Sequence, residues 1–419
     1  MKMFNAFVYV LLLCTLIFFV TIQNPHYTTF HKDIQKSVKW YDDVPNGLVS
    51  DTLEPPLDAR GSDKDWYHKD IIPLSAEPID RKYIVVYRPV QSRFLIQAKN
   101  LRMNTCAEKN CNVYVMTSET EGPISADAVV FQGNQVPSKV PARVNAAQLY
   151  VFADSEPPLI THSKTAVQMM HDNPEFYNLT ITYKRDSDIP APYGIIIPRN
   201  ANKRIYLQSL QMDKSAENYG RVKTLGLPGK DYNAIFNHKT KSSLWFVSHC
   251  LTFSKREQYV ERMKHHTQVD LYGLCGGSRI KHNDTFDNDY KFYLAFENTF
   301  CEDYITEKFF TWYSKDIIVV VFGGANYSLF APAGTYINAA DFPSPEALAD
   351  FLNKLGSDRE RYIGYLKRKD QYQVITEQES VQNAFCGLCW RLNYPNRYSY
   401  SPKNISHWWF SSCTRKRQF

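Results

Sequence analysis

Strong charge of one sign is missing from these 419 residues: 49 Lys and Arg stand against 43 Asp and Glu, a formal net charge of +6. No basic run interleaved with aromatics appears ahead of the final segment, so the electrostatic footprint of a nucleic-acid binder is absent. The composition of a disordered chain is missing too: 44% of residues are hydrophobic and 14% aromatic, enough for a substantial core. Residues 23 to 80 lack sustained hydrophobic periodicity, and Pro25, Pro45, Pro55, Pro56, Pro73 and Pro78 break any helix there. That stretch reads as a stem, with a small folded cap as the lesser alternative.

One apolar run is long. After Met1-Lys2-Met3, Phe4 to Ile22 is almost wholly apolar and uncharged, and about 19 residues match a ~30 Å hydrocarbon core. A cleaved signal peptide would have a shorter apolar region ending in small residues. Here bulky Phe18-Phe19-Val20 continues to Ile22. The expectation is a single-pass type II membrane protein, with residues 1–3 cytoplasmic, 4–22 a transmembrane signal-anchor and the rest luminal; Lys2 alone flanks the short side.

Of the 9 cysteines, Cys14 lies in this span. Cys106, Cys111, Cys250, Cys275, Cys301, Cys386, Cys389 and Cys413 remain, an even set that suggests disulfides of undetermined connectivity. Cys386-Gly-Leu-Cys389 with Cys106 and Cys111 can also be read as a four-cysteine zinc site. Two long-range disulfides are favoured because a secretory compartment oxidises thiols. Sequons at Asn178, Asn283, Asn326 and Asn404 are compatible with luminal glycosylation.

Short apolar runs begin at Tyr83–Tyr87 and recur at Val113–Met116, Ala128–Phe131 and Gln148–Phe152, the pattern of parallel strands with crossovers. Leu179, Ile181 and Tyr183 alternate as a strand does. Residues 195 to 243 are mixed and polar and read as an interdomain region. Strands follow at Ser243–Ser248 and from Val269 into the Gly-bearing turn Gly273-x-x-Gly276, a weak ligand signal by itself. Ser344-Pro345-Glu346 starts an amphipathic helix over Ala347–Leu355.

The chain is organised around Tyr290–Tyr327. Phe292–Phe296 and Ile317–Phe322 read as buried strands flanking a helix near Thr306-Glu307-Lys308, a βαβ unit with Glu297-Asn298 at the carboxyl end of its first strand. A helix start with a lysine suits a diphosphate; a capped helix with solvated Glu and Lys is the plainer reading. Asp154 and Glu156, beside Pro157-Pro158, form a second acidic strand end, placed for chemistry or for a solvated turn.

These residues resemble a known family. Leu294-Ala295-Phe296-Glu297-Asn298, then Tyr304-Ile305-Thr306-Glu307-Lys308, resembles the F-x-F-E-N and Y-[IV]-T-E-K signature of the α1,3-fucosyltransferases that use GDP-fucose, with Leu294 in the first Phe place, as does the segment Asp341–Leu355. Tyr177–Asp188 is similar to the family's F-N-x-T-x-T-Y-R-x-D-S-D element, with Tyr177 in the Phe place and Lys184 in the first basic place, and Val269–Gly273 to its V-D-x-[YF]-G. The resemblance runs from about residue 80 to 390; Asn393–Phe419 lies beyond it. Packing is favoured over sugar stacking for Trp408-Trp409-Phe410.

The resemblance implies an α/β fold with two Rossmann-like domains facing a cleft, the GT-B type. The amino-terminal acceptor domain would span 81–195 and the GDP-fucose-binding domain 196–365. Residues 366–419 would pack back on the first domain, with the C-x-x-C tied to it by disulfides. The implied reaction moves L-fucose from GDP-β-L-fucose to the 3-hydroxyl of a GlcNAc in a glycoprotein N-glycan, with inversion. Glu156 is the implied base, although Pro157 replaces the family's usual Ser and Asp154 is its rival. Glu307 would hold fucose and offset positive charge. Arg256, Thr306 and Lys308 would receive the diphosphate, and Glu297, Asn298 and Tyr304 would shape the pocket.

A mild positive charge suits such an anionic donor. Asp186-Ser187-Asp188 has the D-x-D form of manganese-dependent transferases, yet a structural role is favoured, since the family's class dispenses with a bound metal for catalysis. No cofactor is expected, with Mn or Mg stimulatory at most. Val319 stands where the family usually has Pro. The expected setting is the Golgi membrane. A lectin-like inactive relative and a type II Golgi transferase with another donor are the alternatives.

Overall fold

Short apolar strands joined by crossovers set the architecture of the computed structural model, which describes residues 81–87, 101–116, 124–133, 142–161, 164–212, 229–276, 286–398 and 404–414. The expected span at 4–22, the stem and the Asn283 sequon lie outside the described residues. Among the described residues no helix is long and apolar enough to cross a membrane.

In the first half, β1 (Lys82–Tyr87), β2 (Cys111–Met116), β3 (Ala128–Gln132) and β4 (Leu149–Asp154) precede two helices, α1 (Pro158–Thr161) and α2 (Lys164–Asp172). Strands β5 (Leu179–Thr182) and β6 (Ile189–Pro190) complete a six-stranded sheet in the order β2-β1-β3-β4-β5-β6, parallel throughout. The chain then leaves through β7 (Gly194–Pro198), α3 (Lys203–Gln211) and α4 (Tyr232–His238).

The second half runs β8 (Lys241–Phe246), α5 (Arg256–Lys264), β9 (Val269–Tyr272), α6 (Phe286–Asp289), β10 (Tyr290–Phe296), β11 (Phe300–Cys301), α7 (Glu307–Tyr313), β12 (Ile318–Phe322) and β13 (Tyr336–Asn338). Its five-stranded sheet, β13-β12-β10-β8-β9, is also parallel. Helices α8 (Pro345–Ser357) and α9 (Arg359–Lys369), strand β14 (Tyr372–Thr376), helix α10 (Glu377–Asn393), helix α11 (Ile405–Phe410) and strand β15 (Cys413–Thr414) finish the chain.

Continuous apolar strands are what a sheet covered on both faces requires. In β10 and β12 successive side chains divide between two cores. Tyr293, Ala295, Val319 and Val321 pack with Phe309, Phe310 and Tyr313 of α7. Phe292, Leu294, Phe296, Ile318, Val320 and Phe322 pack with Tyr259 and Met263 of α5 and Leu348 and Leu352 of α8. Val319 is thus a buried strand residue opposite Tyr293. The α7 core also holds Val85, Phe131, Tyr150 and Phe152 of the first sheet, so one apolar cluster runs through both halves.

Helix α10 returns to the first sheet. Val381, Ala384, Phe385 and Leu388 cover Ile84, Val86, Val130 and Val151, and the disulfides Cys106–Cys386 and Cys111–Cys389 fasten it. These bonds account for all four cysteines of the zinc alternative, which is set aside. Cys250 pairs with Cys275, and Cys301 with Cys413.

The described parts of the stretch read as an interdomain region, 195–212 and 229–243, carry regular elements. Asn202 caps α3 and Asp231 caps α4 through their side-chain oxygens, and β7 pairs antiparallel with β14. Short capped helices carry too few apolar residues to show a period. Trp409 is buried against Phe152 and Tyr183, and β15 pairs with β11, so the final segment packs on the body.

Candidate active site

At the carboxyl end of β4 the chain reads Asp154-Ser155-Glu156, and the two acids have different surroundings. Asp154 is 1% exposed and accepts the Glu156 backbone N–H at 3.0 Å. Gly133 lies against it, where any Cβ would come 2.6 Å from Asp154 Oδ2. Asp154 therefore builds the turn, and Glu156 is the acid that projects from it. Pro158 then starts α1, its fixed φ suited to a first helical position.

Two phenols grip the Glu156 carboxylate. Tyr304 donates to Oε2 at 2.8 Å from the second half. Tyr193 donates to Oε1 at 3.3 Å and to Ser155 O at 2.9 Å. Burial pushes the Glu156 carboxyl above the ordinary carboxylate range. The Tyr304 hydrogen bond and the Lys308 charge pull it back in part, while Glu307 and Glu297 push it up further. A carboxylate raised in this way is a better proton acceptor once ionised.

The second half ends in a charge network. Glu297, at the end of β10, is 0% exposed and accepts from Thr306 N at 2.9 Å, Thr306 Oγ1 at 2.9 Å and Lys308 Nζ at 3.1 Å. Thr306 caps α7 and accepts the Lys308 N–H. Lys308 Nζ lies 2.8 Å from Thr306 Oγ1 and 3.6 Å from Glu307 Oε1. Burial lowers the Lys308 pKa, but Glu297 and Glu307 outweigh it and hold the ammonium above its ordinary value.

Arg256, at the start of α5, is 2% exposed. It donates to Phe296 O at 2.5 Å and His249 O at 3.3 Å, and its Nε is buried with no partner. Burial lowers its pKa against the upward pull of Glu297 and Glu257. Ser254 binds Glu297 O at 2.7 Å and Asn298 O at 3.0 Å, fixing the turn, and Asn298 Oδ1 is left buried and unpaired. Gly324, just past β12, lets β11 lie close, because a Cβ there would come 2.6 Å from Cys301 N.

The fold thus assembles Glu156, Glu297, Tyr304, Thr306, Glu307 and Lys308 around one junction, with Arg256 and Asn298 behind the β10 end. Glu297 faces inward on Thr306 and Lys308 rather than outward to a ligand. Arg256, for which the resemblance implies a diphosphate role, is likewise engaged with backbone carbonyls. Asp188 accepts from Thr180 N at 2.9 Å and Oγ1 at 2.8 Å, while Asp186 accepts from Trp408 Nε1 at 2.6 Å. Each D-x-D carboxylate is held in a different place. Among the described residues no group of three or more His, Cys, Asp or Glu is arranged to hold a metal.

A family model described as glycosyltransferase family 10 (fucosyltransferase), C-terminal, matches residues 236–408, and one described as fucosyltransferase, N-terminal, matches 80–194. The chain belongs to glycosyltransferase family 10. It is 35% identical over 298 residues to Alpha-(1,3)-fucosyltransferase C of Drosophila melanogaster, covering 68% of this chain and 66% of that protein. To Alpha-(1,3)-fucosyltransferase fut-1 of Caenorhabditis elegans it is 30% identical, covering 58% of this chain and 54% of that protein. The family 10 chain therefore spans between about half and two thirds of the length of these curated relatives. A solved α1,3-fucosyltransferase aligns with a TM-score of 0.44 at 16% identity, covering 71% of this chain and 83% of that one.

Tyr193 is the site residue that sequence reasoning missed in this family 10 chain. It stands 37 residues from Glu156, and nothing local to Pro192-Tyr193-Gly194 announces a partner that distant. Of the sequons, Asn178 is half-buried, its Oδ1 accepting from Tyr150 N and Arg143 Nη1, each at 2.8 Å. Asn326 and Asn404 are exposed helix caps.

Proposed function

We propose that this chain transfers L-fucose from GDP-fucose to the 3-hydroxyl of a GlcNAc in a glycoprotein N-glycan, with inversion. The observation that supports this most is the Glu156 carboxylate, raised by burial and held across the junction by the tyrosine of the Tyr304–Lys308 element. Glu156 takes the acceptor proton while that oxygen attacks the anomeric carbon. The bond from that carbon to the phosphate oxygen breaks, and GDP leaves with the electron pair. Glu307, the more exposed of the α7 pair, offsets positive charge on the sugar ring. Lys308 meets the departing diphosphate, and Arg256 contributes a buried charge behind the turn rather than a direct contact.

The same reading places two Rossmann-like halves in a GT-B arrangement and anchors the chain in the Golgi membrane through Phe4–Ile22. Names of the relatives support transfer of fucose and the α1,3 linkage; they leave core and antennary GlcNAc acceptors equal. The test uses detergent-solubilised full-length protein with GDP-fucose, GDP-mannose and a panel of N-glycan acceptors, half with EDTA. EDTA-resistant α1,3 transfer from GDP-fucose, lost in Glu156→Gln and Glu307→Gln, is the expected result. Donor binding without transfer to any acceptor would point to a lectin-like relative, and binding of GDP-mannose alone would overturn the donor.

A further inference from the structure

Tyr193 lies just ahead of β7, 4% exposed. Its phenol has one proton and two acceptors, Ser155 O at 2.9 Å and Glu156 Oε1 at 3.3 Å. The next residue, Gly194, is pressed against α7: a Cβ there would come 2.4 Å from the Phe310 ring. The Tyr193 and Tyr304 rings meet edge to face, 6.2 Å apart at 81°. Tyr304 in turn packs on Tyr183 at 5.1 Å. One side chain thus touches the turn that carries Glu156 and the ring that binds its other oxygen, while its neighbour abuts the helix that carries Glu307 and Lys308.

We propose that Tyr193 is a positioning residue for Glu156, holding one carboxylate oxygen and the preceding backbone so that the acid faces the start of α7. This rests on the reading of Glu156 as the base. Rotamer freedom is the alternative to such a grip: a glutamate has three side-chain torsions, and a misplacement of about 1 Å can cost about a hundredfold in rate. A hydrogen bond donated to a carboxylate also favours its charged form, so Tyr193 acts on both geometry and protonation. The charged and titratable groups facing Glu156 are Tyr304, Tyr193, Lys308, Glu307 and Glu297.

The experiment measures pH profiles of kcat and kcat/KM for the full-length enzyme with GDP-fucose and its acceptor, in Tyr193→Phe, Glu156→Gln and the double variant. Tyr193→Phe is expected to lower kcat about tenfold with donor KM nearly unchanged, and to move the acid limb up by a few tenths of a pH unit. The double variant should be no slower than Glu156→Gln alone. Site-specific 3-fluorotyrosine at position 193, a stronger donor of the same shape, should move the acid limb down and serves if Tyr193→Phe folds poorly. Losses that multiply in the double variant, or an acid limb that neither change moves, would overturn the inference while leaving the base in place. Full activity in Glu156→Gln would remove the base reading itself.

Discussion

The amino-terminal sheet meets the site with one carboxylate gripped by phenols; the carboxy-terminal sheet meets it with charges that hold one another. Glu156 has neutral partners and a raised pKa, while Lys308 is tied to two carboxylates and has its charge reinforced. On the proposed mechanism the difference separates two tasks. A group that must gain and lose a proton has its pKa raised by burial, with a donated hydrogen bond opposing the rise. A group that must stay charged beside a leaving anion is fixed by buried countercharge.

Breaking the first side of this comparison should have the largest effect. Glu156→Gln is expected to lower kcat about a thousandfold, roughly 4 kcal/mol, with GDP affinity by calorimetry unchanged. An equal loss of GDP affinity would show that the halves do not divide their work.

Lys308→Ala breaks the other side. It leaves Glu297 buried with only Thr306 as donor, and about 3 kcal/mol of stability should be lost in denaturant unfolding, together with GDP affinity. Removing the Cys301–Cys413 bond by paired alanine substitution should cost about 2 kcal/mol. Because β11 connects the Glu297 turn to Tyr304, its loss should lower kcat more than donor affinity.

The smallest effect is on melting. The Glu156 carboxyl is raised in the folded chain, so the folded state binds that proton more tightly than the unfolded one. Stability contributed by this group is present at low pH and lost as pH rises through the folded value. At neutral pH Glu156→Gln should therefore raise Tm, by about 1–3 °C, and the gain should vanish in acid. A Tm that falls instead would mean that the two phenols outweigh the burial.

Legibility followed the range of the interaction. β10 and β12 were readable because the unbroken apolar runs Phe292–Phe296 and Ile317–Phe322 leave little choice of structure, and Ser344-Pro345 marked the α8 cap that the structure shows. Glu297 and Glu307 could not be told apart as inward and outward acids, since burial depends on chain brought in from elsewhere. Cysteine pairing was closed to inspection for the same reason, with partners 280 and 278 residues apart. Tyr193 and the buried setting of Arg256 likewise needed chain brought in from 37 and 40 residues away, each within its own half.

Helix α10 has a consequence for how the molecule is made. It is synthesised after both sheets, yet it covers one face of the first. The strands that leave the ribosome earliest must wait, with Ile84, Val86 and Val130 uncovered, until almost the whole chain has followed them. The second sheet, whose α5 and α8 cover lies nearby in sequence, has no such delay. That face of the first sheet is closed last, and a chain stopped short of Glu377 would leave it bare.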